Sequence, residues 1–166
     1  MALEITIKIK DEGIKTTLAQ ISERTHNLTP VMKIIAQIVR TSIVKNFESG
    51  GRPVAWKPSQ RVLKSGGQTL RKSGQLMNSL TAKATSSQAI VGTNKIYAAI
   101  QNFGGVTKPH EIRPSAKKAL FWPGAKHPVK KIMHPGSKIP ARPFMMVQDE
   151  DWAEMIKAAE EYLLKQ

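Results

Sequence analysis

Between Lys108 and Pro143 a proline stands at 109, 114, 123, 128, 135, 140 and 143, seven of the ten in the chain. Proline has no amide hydrogen to donate and fixes its own φ, so a stretch broken this often cannot hold a long helix or a central strand. Short extended pieces are all that fit, and the sequence offers three: His110 to Arg113, Lys118 to Trp122 and Val129 to Met133. Regular structure must come from the two ends of the chain and from the region just before the prolines.

At the start, Leu3, Ile5, Ile7 and Ile9 alternate with Glu4, Thr6, Lys8 and Lys10, the period-two pattern of a strand with one buried face. The same segment lacks the apolar block of a secretory signal. Ile14, Leu18 and Ile21 give a narrow helical stripe ending near Thr25. Thr29-Pro30 predicts the start of a longer helix, Thr29 as cap and proline in the first turn. That helix places Val31, Ile34, Ile35, Ile38, Val39 and Phe47 inward and Lys33, Gln37, Arg40, Thr41 and Lys45 outward, and Gly50-Gly51 stops it.

Gly51 to Gly67 reads as a mobile basic loop. Ser73 is placed to cap a short helix bearing Leu76, Met77 and Leu80. Thr81 to Thr85 and Ala89 to Thr93 predict a hairpin, and Ile96 to Ile100 a helical turn stopped by Gly104-Gly105. A last helix opens on Asp149, Glu150 and Asp151, where the helix dipole favours anions. Its stripe is Trp152, Met155, Ile156, Ala159, Tyr162 and Leu163. The expected architecture is α+β in a single domain, 1–166. An antiparallel sheet carries the long core helix and the C-terminal helix, and the basic Pro/Gly-rich connections at 50–72 and 105–142 form extended loops or arms.

Charge is distributed as unevenly as proline. The chain has 26 Lys and Arg against 12 Asp and Glu, a net charge of +14. Residues 50–142 carry seventeen of the basic side chains and a single acid, Glu111, whereas 143–166 carry two basic and six acidic. A surface so short of carboxylates cannot neutralise itself, which predicts an acidic partner.

Catalytic chemistry finds few footholds. With Glu111 the only acid between Glu48 and Asp149, that region holds no carboxylate pair for acid–base work. Gly136-Ser137-Lys138 lacks the upstream glycine of a phosphate-binding loop, and neither G-x-G-x-x-G nor G-x-S-x-G occurs. His110, His127 and His134 are spaced 17 and 7 apart, which fits no zinc signature. Cysteine is absent, which excludes disulfides and thiolate sites and makes a reducing compartment the default expectation. No run of about 18 apolar residues offers a membrane span. The reading is a protein without catalytic, cofactor or metal residues.

Nucleic acid fits the charge, yet aromatics are 5% and the basic residues are scattered through loops rather than ranged along one helix. Nonspecific DNA contact is therefore the alternative to a protein partner. Trp152 reads as a core residue. Trp56 and Trp122 sit beside Lys57-Pro58 and Pro123-Gly124, outside any periodic stripe, and with Arg142 are candidates for contacts between proteins.

Several strings then occur in order: Trp56-Lys57-Pro58; Leu70-Arg71-Lys72-Ser73-Gly74-Gln75-Leu76 with Ser79-Leu80; Val91-Gly92-Thr93 leading to Tyr97-Ala98-Ala99-Ile100-Gln101-Asn102-Phe103-Gly104-Gly105; and Ile139-Pro140-Ala141-Arg142-Pro143-Phe144-Met145. From about residue 30 onward the chain resembles the phage virion morphogenesis family, the small tail-completion and head-to-tail joining proteins of tailed bacteriophages. Lys117-Lys118-Ala119-Leu120-Phe121-Trp122-Pro123 and Met133-His134-Pro135-Gly136 resemble a stretch of related neck proteins. Family members often carry His-Gln where this chain has Gln101-Asn102.

The resemblance implies a non-enzymatic virion protein, made in the bacterial cytoplasm and placed in the neck or at the top of the tail. It implies a homo-oligomeric ring, most often a hexamer, meeting portal, connector or neck proteins on one side and tail-tube or tail-terminator proteins on the other. The interface residues expected on this reading are Trp56, Lys57, Arg61, Arg71, Trp122, His134, Ile139, Arg142 and Phe144.

Overall fold

The longest element among the described residues is the helix α2, Thr29–Ser49. A computed structural model describes residues 12–164, so the expected strand at Leu3 to Ile9 lies outside the described residues. Helix α1, Glu12–His26, precedes α2. Thr29 does not cap α2: Leu28 occupies that position, and the Thr29 amide donates to Asn27 Oδ1 at 3.2 Å. Pro30 stands in the first turn as expected. Gly50 ends the helix at φ +74°, a left-handed conformation that glycine reaches without a Cβ penalty.

The buried face of α2 is rotated from the predicted one. Val31, Ala36, Ser42, Ile43, Asn46 and Phe47 are buried, whereas Ile34 is exposed. Two polar side chains at a helical spacing of four, Ser42 and Asn46, thus lie in the core stripe, where a hydrophobicity argument leaves them out.

The loop expected at 51–67 is partly helical. Ser59 caps α3, Gln60–Ser65, its Oγ accepting from the Val62 amide at 3.3 Å. Arg61 donates to Gly66 O at 3.2 Å and Gln68 O at 2.5 Å, tying the following turn to this helix. Helix α4, Gln75–Asn78, is capped by Gly74 rather than Ser73. The predicted hairpin is present, one residue earlier in its first strand: β1, Leu80–Ala84, pairs antiparallel with β2, Ala89–Thr93, from Leu80↔Thr93 to Ala84↔Ala89. Helix α5 follows at Ala98–Phe103.

Beyond α5 the chain runs out and back as a ribbon. Strand β3, Gly105–Val106, pairs with β6, Lys138–Ile139, and β4, His110–Ile112, pairs with β5, Ile132–His134. Four residues lie between Gly105 and His110 and four between His134 and Ile139, so both pairings keep one register along a single antiparallel arm. Farther out, only the bridge Leu120↔Val129 remains of the strand expected at 118–122. Among the described residues, three two-stranded ladders stand where the sequence predicted one sheet, within an α+β architecture that agrees with the expectation.

Helix α6, Asp149–Leu164, closes the fold against α2 and α1. The main core cluster is Ile43, Phe47, Trp56, Leu76, Leu80, Ala98 and Phe144. Phe47 stands at its centre, edge-on to Trp56 at 5.7 Å between centroids and tilted against Phe144 at 5.0 Å. On α6 the buried line runs through Asp151 and Met155. Trp152, expected in the core, is 57% exposed, as is Ile156.

Candidate assembly surface

Residues 141–146 form the hinge between the arm and α6, and two buried asparagines hold them. Asn102 Oδ1 accepts from the amides of Phe144 at 3.0 Å and Met145 at 2.9 Å. From α2, Asn46 Nδ2 donates to Phe144 O at 2.9 Å and Met146 O at 2.8 Å. Where irregular chain passes through the core, as at Phe144, it has no ladder of its own, so its peptide groups need such side-chain partners. Arg142 joins the same clasp: its amide donates to Gln101 O at 3.0 Å, its Nε to Lys57 O at 3.0 Å and its side-chain terminus to Gln101 Oε1 at 3.3 Å. Burial pushes the Arg142 guanidinium below its ordinary pKa, but arginine stays charged throughout the working pH range.

The pair Gln101-Asn102 thereby has a defined task, gripping the incoming chain by its backbone. Gly104, one turn on, makes room for it at φ +74°. A Cβ there would stand 2.7 Å from Ala141 N and 2.9 Å from Ile139 O. Because the obstacles are backbone atoms, Gly104→Ala is expected to cost about 1–3 kcal/mol, measured as a lowered midpoint of urea unfolding.

A second polar cluster locks α6 to α2. Arg52 Nε donates to Asn46 Oδ1 at 2.8 Å, and its terminal nitrogens to Ser42 O at 3.0 Å, Ser42 Oγ at 2.9 Å and Glu150 Oε1 at 3.1 Å. Asp151 Oδ2 lies 3.6 Å from Arg52, accepts from Ser42 Oγ, and accepts the Gln148 amide at 2.9 Å. Asp151 stands in the first turn of α6, where the helix dipole favours an anion, and its carboxylate is also buried and ion-paired. At the far end of α6, Arg24 of α1 donates to Tyr162 O and Leu163 O, and Tyr162 donates to Asn27 O at 2.7 Å.

These contacts revise three of the expected interface residues. Trp56, Arg142 and Phe144 are buried within the subunit, so they offer no surface to a partner. Their loop-like, proline-flanked context conceals a core role because the core here is built partly from irregular chain. Lys57 is exposed, Arg61 fastens the turn after α3, and Arg71 donates to Gln68 Oε1 at 3.0 Å. The other three lie along the arm: Ile139 at its base, His134 on β5 and Trp122 near the tip. Sequence reasoning missed Ser42, Asn46, Arg52 and Asn102, although two polar residues four apart in the stripe of α2 were a visible signal.

The arm concentrates the basic charge. Residues 106–138 hold eight Lys and Arg and one acid, Glu111, which pairs with Arg113 at 2.5 Å and Lys131 at 3.1 Å. The rings of His110 and His134 stack across the ribbon at 5.1 Å, whereas His127 lies beyond the Leu120↔Val129 bridge. Among the described residues no three His, Cys, Asp or Glu side chains are grouped to hold a metal, and no helix is long and apolar enough to cross a membrane. At the tip, past that bridge, Phe121 and Trp122 are exposed. A groove of about 790 Å³ lies away from the arm, where Ile34 meets Lys157, Ala158, Tyr162 and Leu164.

A family model described as the phage virion morphogenesis family matches residues 9–164. The chain is also 32% identical over 160 residues to a curated protein of Haemophilus influenzae, "Mu-like prophage FluMu G protein 2", covering 96% of this chain and 95% of that one. No solved structure matches.

Proposed function

The chain belongs to the phage virion morphogenesis family and has a role in building a phage virion, and from that premise we propose that it is a tail-completion or neck protein that joins head to tail as a homo-oligomeric ring. The observation that carries this reading is how the subunit uses its surface. A basic arm with an apolar tip extends from a core clasped by buried polar groups, and an acidic helix with exposed apolar side chains, Trp152 and Ile156 among them, packs on α2 and α1. Such a subunit is built to be held by others, with the ring, most simply a hexamer, set between portal, connector or neck proteins and tail-tube or tail-terminator proteins. In this role it works by contact and not by catalysis.

Native mass spectrometry and negative-stain microscopy test the ring. A closed oligomer of defined subunit number is expected, and a strict monomer at every concentration, with no binding to neck or tail proteins, would falsify the reading. DNA passing through the neck would meet the arm's charge without being read. Duplex titration at about 0.15 M salt is accordingly expected to give a Kd no tighter than about 10⁻⁶–10⁻⁴ M. Sequence-specific binding below about 10⁻⁸ M would instead favour a DNA-binding protein.

A further inference from the structure

The arm and α6 carry matching patterns. At the tip, Phe121 and Trp122 are exposed and flanked by the exposed Lys117, Lys118 and Lys126. On α6, Asp149, Trp152, Ile156 and Glu160 follow at helical intervals of three, four and four, so they line one face of the helix over about 16 Å. All four are exposed. Two apolar side chains bracketed by acids thus mirror two aromatic side chains bracketed by lysines. Within one subunit both surfaces stay uncovered, so neither covers the other.

We propose that the tip of the arm of one copy docks on the Asp149–Trp152–Ile156–Glu160 face of α6 in the next copy. The lysines steer and fix register, and the buried aromatic and aliphatic side chains supply the adhesion. Two different surfaces are used, so the contact is head-to-tail, and successive copies close into a ring when the rotation between them permits. This assignment rests on the proposal that the protein assembles with itself, and names the surfaces that do it.

The register of the arm supports its reach. Eight residues from Gly105 to Ile112 stay in one antiparallel register, a span of about 25 Å at roughly 3.4 Å per residue, before the tip begins. A ribbon of that length carries the aromatic side chains well beyond its own base.

The absence of cysteine provides the test. Pro123 and Ala153 are exposed neighbours of Trp122 and Trp152. P123C and A153C, made in separate preparations and mixed under mild oxidation, are expected to form a disulfide-linked pair of one chain of each. K117E/K118E and D149K/E160K, each checked for folding by circular dichroism, are expected to raise the concentration for half-assembly by about tenfold or more. Combining all four substitutions is expected to recover assembly.

An oligomer that forms no cross-link and ignores both charge reversals overturns the arm assignment and leaves the ring reading standing. A monomer under every condition overturns both. If K117E/K118E leaves assembly unchanged but abolishes binding to a 20-bp duplex, the arm is a nucleic-acid contact and the docking proposal is wrong.

Discussion

Arg52→Met is expected to lower the unfolding free energy by about 3–5 kcal/mol, the usual cost of removing one partner from a buried ion pair. The Asp151 side chain is only 3% exposed, and without the guanidinium its charge would keep just the Ser42 hydroxyl and the Gln148 amide. Asn46 Oδ1 and Ser42 O would lose donors in the same stroke. Because Arg52 itself retains some solvent contact, at 20% side-chain exposure, the lower part of that range is the better expectation. Urea unfolding followed by circular dichroism measures it. Adding D151N to the Arg52 variant removes the stranded charge and should return part of the loss. Equal stability of the single and double variants would mean that Arg52 matters only as packing.

The second large effect is expected at Phe144. Truncation to alanine should cost about 3–5 kcal/mol, as for other fully buried aromatic side chains. Phe144 is wholly buried against Phe47, and its peptide is held at N–H by Asn102 and at C=O by Asn46. The cavity would open beneath a segment that cannot collapse onto it while the two asparagines fix its backbone. The lost stability should appear in the isolated subunit, by thermal or urea unfolding, before any assembly is attempted. A Phe144→Ala subunit of unchanged stability that nonetheless fails to assemble would restore Phe144 to the interface.

Periodicity located every helix of more than a dozen residues among those described, and the 80–93 hairpin, because each repeats its pattern over several turns or rungs. It misjudged the faces of α2 and α6, since a hydrophobic stripe counts Ile34 and Trp152 inward and passes over Ser42, Asn46 and Asp151. The structure exposes the first two and buries the other three, which bond to one another and to Arg52. No local rule detects a partner a hundred residues away. The short helix α3 was similarly hidden by the glycines and prolines around it, although Ser59 was present to start it.

The arm was only half legible. Seven prolines told that strands must be short, but the common register of β3/β6 and β4/β5 depends on pairing across some thirty residues, which composition does not report. Tryptophan was ambiguous for a related reason. Trp56 and Trp122 share a proline-flanked context outside any stripe, yet the first lies in the core and the second faces solvent, while Trp152 is exposed despite its place in a helical stripe.

The clasp has a further bearing on how a subunit comes into being on the ribosome. Ser42 waits for Asp151, Asn46 for Met146 and Arg24 for Leu163, contacts separated by about a hundred residues or more. A nascent chain that has emerged only as far as the arm therefore holds α2 with Arg52 on its polar stripe but without Asp151, Met146 or Phe144. Closure must await α6, and contacts this distant in sequence form slowly. Copies therefore become competent to meet one another only after α6 has been made and has docked on α2.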